Sequence, residues 1–415
     1  MHRARARIIL LAVLAVVAAA IVAARVGYGM WAARCQAEFD AVIGEIRARG
    51  EPVWFSELEP HDHPEWDEAG RRLDEILSRL QPLSEEFDRA YHGVGPPEPE
   101  NYSALAAAVV DNREVIDEVV DLARTTVCRH PYDYHIVDPV HLLMNHVSGV
   151  RTVAKLLTVD GNLCVIAGDQ AGAWNVVTSS LQLPLVLGHE PLFVPRMVLY
   201  GTTALALDSL EHYLTSFALI DEQFSELDRA LQDLEAYCNL SQTTLEDRCA
   251  GLTAINAFYD NPRLFYRAAS FRDAAYFAQQ MEILATLVDR RGPAARRDLA
   301  RFETDVQSTC ESTPATHRAS ALLIPKATVL YQRAAEYRQR LASTRLVLRA
   351  LRYRNLQGAL PASLSDALLG EHDPPVTGVA SGTPVVYEAD AEHVRVYDVH
   401  PDAPEEPIGV FSVEF

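Results

Sequence analysis

Four histidines, His130, His135, His141 and His146, fall close together in the chain, with Cys128, Asp133 and Asp138 beside them. Imidazole nitrogens, thiolates and carboxylates are the donors that hold zinc and related ions. The run is therefore a candidate metal site, and its rival reading is a set of packed helix residues. His141 and His146 would share a helix, but a spacing of five serves one face less well than three or four. His61-Asp62-His63 is a second candidate. Alternate residues of an extended segment face the same way, so both rings would reach one ion; a solvated loop is the simpler reading. His189-Glu190 lacks the second histidine of an HExxH helix. With Pro191 suited to a first turn and Glu190 to the positive end of a helix, the pair reads as a helix start. GxSxG, P-loop, GxGxxG and SxxK motifs are missing. No catalytic residue and no cofactor is assigned from motifs.

Cysteines stand at 35, 128, 164, 238, 249 and 310, without a CxxC pair. That disfavours a zinc ribbon or a thioredoxin-like site. Cys238 and Cys249 flank a short polar connection and are the candidate disulfide, provided the body lies in an oxidising compartment. The others read as small buried helix residues.

These residues need elements to position them, and the first is an anchor. Arg3, Arg5 and Arg7 precede an unbroken apolar run, Ile8 to Ala24. As a helix those residues reach about 26 Å, close to a bilayer core of ~30 Å. Tyr28 and Trp31 suit the interface beyond it. Arginines ahead of the run place the N-terminus inside and the body outside. A cleaved signal peptide is the rival, but its apolar region is normally shorter. The sequence thus predicts a single-pass inner-membrane protein, anchored through residues 8–24, with a cytoplasmic tip and a periplasmic body. A type IV prepilin signature is missing.

Net charge is −20, unevenly placed: residues 1–34 hold five arginines and no acids, so the remainder carries −25. Such a body is repelled by nucleic acid, and no nucleic-acid partner is expected. The chain's 415 residues, 49% of them hydrophobic, exceed one ordinary compact domain and can pack a large core.

The pattern predicts helices over about 31–49, 65–91 and 102–127, separated by the proline-rich stretches 50–64 and 93–100. A long helix follows from His141 to about Ala167, with Asp169 capping the next. Leu207, Leu210, Leu214 and Phe217 form one apolar stripe. Phe224, Leu227, Leu231, Leu234 and Cys238 form another, with Glu222, Glu226, Asp228, Asp233 and Glu235 off it. Leu330, Ala334, Tyr337, Leu341, Thr344, Leu348 and Leu351 alternate spacings of four and three, as a coiled-coil seam does. That helix also carries seven arginines. It predicts either packing against the body's own acidic helices or an interaction face for a partner or lipid headgroups. After Gly358, the segments 384–389, 394–399 and 408–415 are rich in Val, Tyr and Phe and predict a small antiparallel β unit covered by the preceding helix.

The stretch Arg354-Asn355-Leu356-Gln357-Gly358, then Leu360-Pro361-Ala362-Ser363-Leu364, Asp373-Pro374, Thr377-Gly378, Tyr387 and Tyr397, resembles the C-terminal region of type II secretion major pseudopilins. It is still more similar to a family of uncharacterised, membrane-anchored helical proteins of bacterial envelopes. Gly168-Asp169 with Ala173, and His189-Glu190-Pro191, also resemble that family's helical core. The resemblance implies a packed helical core around the 130–146 histidines and brings no activity with it. The pseudopilin calcium loop is eroded to His400-Pro401-Asp402-Ala403-Pro404-Glu405-Glu406, with two prolines and no glycine.

The expected fold is mainly α: a transmembrane helix, an array of antiparallel amphipathic helices and a small C-terminal antiparallel β unit. Its expected divisions are 1–30 (tip and anchor), 31–127 (N-terminal helical region), 128–357 (helical core) and 358–415 (pseudopilin-like module). The expected function is a membrane-anchored extracytoplasmic scaffold with a protein partner. The alternatives are a component of a secretion or pilus-like apparatus and a metal-dependent enzyme using His130–His146.

Overall fold

The computed structural model describes residues 2–59, 63–91, 98–136, 138–139, 142, 144–259, 264–367, 377–400 and 403–414. Helix α1 runs without a break from His2–Ala48. Its span Leu11–Ala48 contains a window of mean hydropathy 2.2 with none of it buried, long and apolar enough to cross a membrane. Farther along the same helix, Cys35, Phe39, Val42, Ile43 and Ile46 are buried. Their spacing puts them on one face, and Phe39 packs on Phe271 with ring centroids 5.7 Å apart. One helix is therefore greasy on all sides in its first half and one-sided in its second.

Helices α2 (Pro64–Leu77), α3 (Glu85–Ala90), α4 (Tyr102–Asp111) and α5 (Arg113–Thr125) follow. The sequence predicted two longer helices here, and each is split. Ser84 caps α3 by accepting from the Phe87 amide. Asn112 sits between α4 and α5; its side chain donates to the Ala108 carbonyl and accepts from the Gln81 amide. Short polar residues divert the backbone in this way.

The body continues with α6 (Asn145–Ile166), α7 (Gln170–Gln182), α8 (Phe193–Ser216), α9 (Asp221–Glu235), α10 (Leu240–Phe258), α11 (Leu264–Leu287), α12 (Gly292–Ser312), α13 (Ser320–Leu323), α14 (Ala327–Gln357) and α15 (Leu364–Ala367). Asp169 caps α7 as expected, accepting from the Gly172 amide at 2.9 Å. The stripes on α8 and α9 face inward. On α14 the whole expected seam is buried, but so are Tyr331, Ala335, Gln339, Ser343, Leu346 and Val347 on other faces. It is a central helix enclosed by the body, wider in its contacts than a coiled-coil seam.

Four of its arginines turn inward to acids of neighbouring elements. Arg345 bonds Asp228 at 3.0 Å and Glu235 at 2.9 Å. Arg349 bonds Asp228 at 3.0 Å, Arg340 pairs with Asp208, and Arg338 with Asp289. The basic helix thus takes its counter-charges from its own body. Asp228 and Glu235, expected on the water-facing side of α9, are part of that contact.

Strands β1 (Val386–Ala389), β2 (His393–His400) and β3 (Ala403–Glu414) form an antiparallel sheet in the order β1-β2-β3. Tyr387 pairs with Val396, and Val394 with Val413. Val394, Val396, Phe411 and Val413 are fully buried beneath α14, which covers the sheet as expected.

Candidate functional site

Helix α2, the segment 128–132 and the first turns of α6 meet at one buried point. Two glycines allow it. A Cβ on Gly70 of α2 would lie 2.1 Å from the Arg129 carbonyl oxygen, so only glycine lets that segment cross the helix. A Cβ on Gly149 of α6 would meet the Leu77 side chain at 2.9 Å. Asp74 is one turn along α2 from Gly70, and His146 just under one turn along α6 from Gly149. The close approaches that need glycine therefore bring Asp74, His130 and His146 together.

The rings of His130 and His146 stack with centroids 3.9 Å apart and planes 7° from parallel. His130 Nδ1 lies 3.2 Å from Asp74 Oδ2. One donor atom each from Asp74, His130 and His146 lie within 4.8 Å of one another. Tyr132 packs edge-on against both rings. Glu190, 1% exposed, stands behind them, with Oε1 3.8 Å from His146 Nε2 and accepting the His130 amide at 2.8 Å. His146 is 1% exposed, and neither of its nitrogens makes a hydrogen bond within the protein.

Burial sets the electrostatics. It pushes the His146 imidazole down to about 3, with His130 beside it adding to the effect, so His146 is neutral at ordinary pH and keeps a lone pair. Burial raises the Glu190 carboxyl, against the opposing effect of the nearby Tyr132 hydroxyl and of the His130 amide that it accepts. It pushes the Cys128 thiol up to about 12, with the Glu190 charge contributing. Cys128 is therefore a thiol. Asp74 leaves the site open on one side, its side chain 39% exposed. Two imidazoles and a carboxylate are donors suited to a first-row transition ion.

The histidines expected from sequence divide. His130 and His146 converge. His135 points elsewhere, its side chain 76% exposed and 3.5 Å from Glu59. His141, His61 and Asp62 lie outside the described residues. His63 stacks on Trp66 at 4.1 Å and approaches Glu65 at 3.0 Å. Sequence reasoning missed Asp74 and misassigned Glu190. That carboxylate does not start a helix: α8 begins at Phe193, and Glu190 reaches back to the His130 amide. Contacts across such separations leave no local trace.

Cys238 and Cys249 are free thiols, so the expected disulfide does not form. Cys238 precedes α10 and Cys249 lies ten residues into it, about 13 Å along the axis. A disulfide needs Cα atoms within about 7 Å. The Cys249 thiol instead donates to the Pro52 carbonyl at 3.2 Å.

A second feature is a cleft of about 930 Å³ between α6, α8 and α14, lined in part by Tyr91, Arg151, Lys155, Met197, Val329 and Arg333. The chain matches no protein-family model, no curated protein and no solved structure.

Proposed function

We propose that the chain is a single-pass inner-membrane protein with a cytoplasmic tip, whose periplasmic helical body is an adaptor that holds a partner protein at a fixed distance from the bilayer. The observation that carries this reading is α1: the apolar membrane-length segment and the core-packed segment are one unbroken helix. A flexible linker would only tether the body, whereas a continuous helix fixes its distance and tilt. Glu51 reinforces the joint below α1, pairing with Arg49 at 2.7 Å and with the fully buried Arg248 at 3.0 Å.

The partner face is the cleft. Its apolar wall and its cations Arg151 and Lys155 complement an acidic amphipathic segment of another envelope protein. Lys155 is one of only two lysines in a chain of net charge −20.

A photocrosslinker placed at Val329 in the full chain in native membranes tests this. The reading expects a discrete adduct that the double variant R151E/K155E abolishes and that R297E, away from the cleft, leaves intact. No adduct, or one indifferent to the charge reversal, overturns it.

A further inference from the structure

We infer that Asp74, His130 and His146 form a divalent transition-metal centre of zinc type, clasping α2 and the 128–132 segment onto α6. This goes beyond the adaptor reading and does not depend on it.

Three observations converge. The donor types are right: two imidazole nitrogens and a carboxylate oxygen are ordinary zinc ligands. Their atoms already lie within 4.8 Å of one another. Zinc–nitrogen and zinc–oxygen bonds of about 2.0–2.1 Å set ligand atoms roughly 3.4 Å apart in a tetrahedron. An ion lies in the plane of each imidazole it binds, so binding turns the stacked His130 and His146 rings out of their near-parallel arrangement and leaves the fourth position to water.

The second observation is His146 itself. It is 1% exposed with neither nitrogen hydrogen-bonded in the protein. A buried polar group in that state costs about 1–3 kcal/mol unless something satisfies it. Other buried side chains also hold single atoms without a partner, Thr243 Oγ1 and His317 Nδ1 among them, but at His146 both ring nitrogens are without one and face two further donor side chains. A metal ion on the imidazole lone pair would satisfy one of these two nitrogens.

The third is Glu190. Metal-bound imidazoles commonly turn their other ring nitrogen toward a carboxylate, which fixes the tautomer and ring orientation. Glu190 Oε1 lies 3.8 Å from His146 Nε2 and is held in place by the His130 amide. The carboxylate thus stands beside the His146 ring, beyond hydrogen-bond distance, while anchored to the His130 backbone.

The ligands come from three parts of the chain. Asp74 is on α2, His130 on the connecting segment, and His146 on α6. An ion bridging them closes long loops, and its binding energy adds to the folded state.

The test uses untagged full-length protein in detergent, dialysed free of metal and titrated with zinc chloride. Wild type is expected to bind about one zinc per chain, and EDTA to lower its melting temperature. The Asp74 side chain is 39% exposed, so D74N is expected to keep the fold and to weaken binding at least tenfold. H146Q is expected to remove binding, and H135Q, outside the cluster, to leave it unchanged. Cobalt substitution is expected to give visible ligand-field bands in wild type that D74N loses. Absence of stoichiometric binding, or D74N binding as tightly as wild type, overturns the inference. So does equal loss on H135Q, which would mark adventitious surface binding. Failure here leaves the adaptor reading untouched, since the crosslink at Val329 needs no metal.

Discussion

Three buried acidic centres in this protein are built on two opposite terms. Asp273 on α11 is fully enclosed, and both its oxygens are committed: Oδ1 to the Ser320 amide, Oδ2 to the Ala319 amide and the Tyr259 hydroxyl, with the Ser320 hydroxyl also donating. Asp398 in β2 is likewise enclosed, accepting from the Ala380, Ser381 and Val399 amides. The Asp74–His130–His146–Glu190 cluster is just as dry on its inner side, yet His146 is unsatisfied within the protein. The contrast sets carboxylates that are fully bonded within the fold against a cluster of donor side chains, the proposed metal centre, that is not. A structural carboxylate exhausts its own bonding capacity locally; a binding centre leaves lone pairs over.

The largest effect that would break this comparison is at Asp273. D273N turns one acceptor into a donor facing donors, and is expected to cost about 3–5 kcal/mol in denaturant unfolding. A cost below about 1 kcal/mol would mean that the Asp273 network is not structural. Next is Gly70→Ala, whose methyl meets the Arg129 carbonyl. We expect a loss of about 1–3 kcal/mol and, in metal titrations, weaker binding, because the 128–132 segment must move off α2. Unchanged stability would show that the crossing is looser than described.

Glu190→Gln should do much less than D273N. The Gln carbonyl still accepts the His130 amide, and a carboxyl raised by burial is relieved of its charge. In the metal-free protein we expect a change within about 1 kcal/mol, in either direction. A loss as large as that of D273N would equate the two centres and dissolve the contrast.

The smallest effect concerns pH. Burial pushes the half-buried Asp247 carboxyl up to about 7 from 3.8, against its hydrogen bond from the Phe193 amide. A raised pKa means the folded state binds more protons than the unfolded chain between those values. The stabilisation is full below 3.8 and is lost as pH rises through about 7. Discounted for solvent screening, that is on the order of 1 kcal/mol. D247N should flatten the stability curve between pH 5 and 8; an unchanged slope would remove Asp247 as its cause.

Much of the frame was legible because it is local. The apolar run of α1, the stripes on α8 and α9, the Asp169 cap and the alternation of the β segments all repeat within one element. The arginines of α14 were legible as an imbalance that needed acids, and Asp228 and Glu235 supply them. The breaks at Ser84 and Asn112 were less so, because a polar side chain bonding its own backbone looks the same as one facing water. The site was half legible. Two of the four clustered histidines converge, but His135 shares only their sequence neighbourhood. Asp74 and Glu190 enter from 56 residues before His130 and 44 after His146, through a glycine crossing and a loop return that no periodicity announces. The Cys238–Cys249 pairing failed because a helix, not a loop, occupies the residues between them.

The most direct test of the central claim is anomalous diffraction at the zinc edge from crystals of the full chain grown with zinc. The account expects one strong peak within about 2.0–2.2 Å of an Asp74 carboxylate oxygen and of one nitrogen each from His130 and His146. A map with no peak there, and with the His146 nitrogens bonded to ordered water instead, would contradict it.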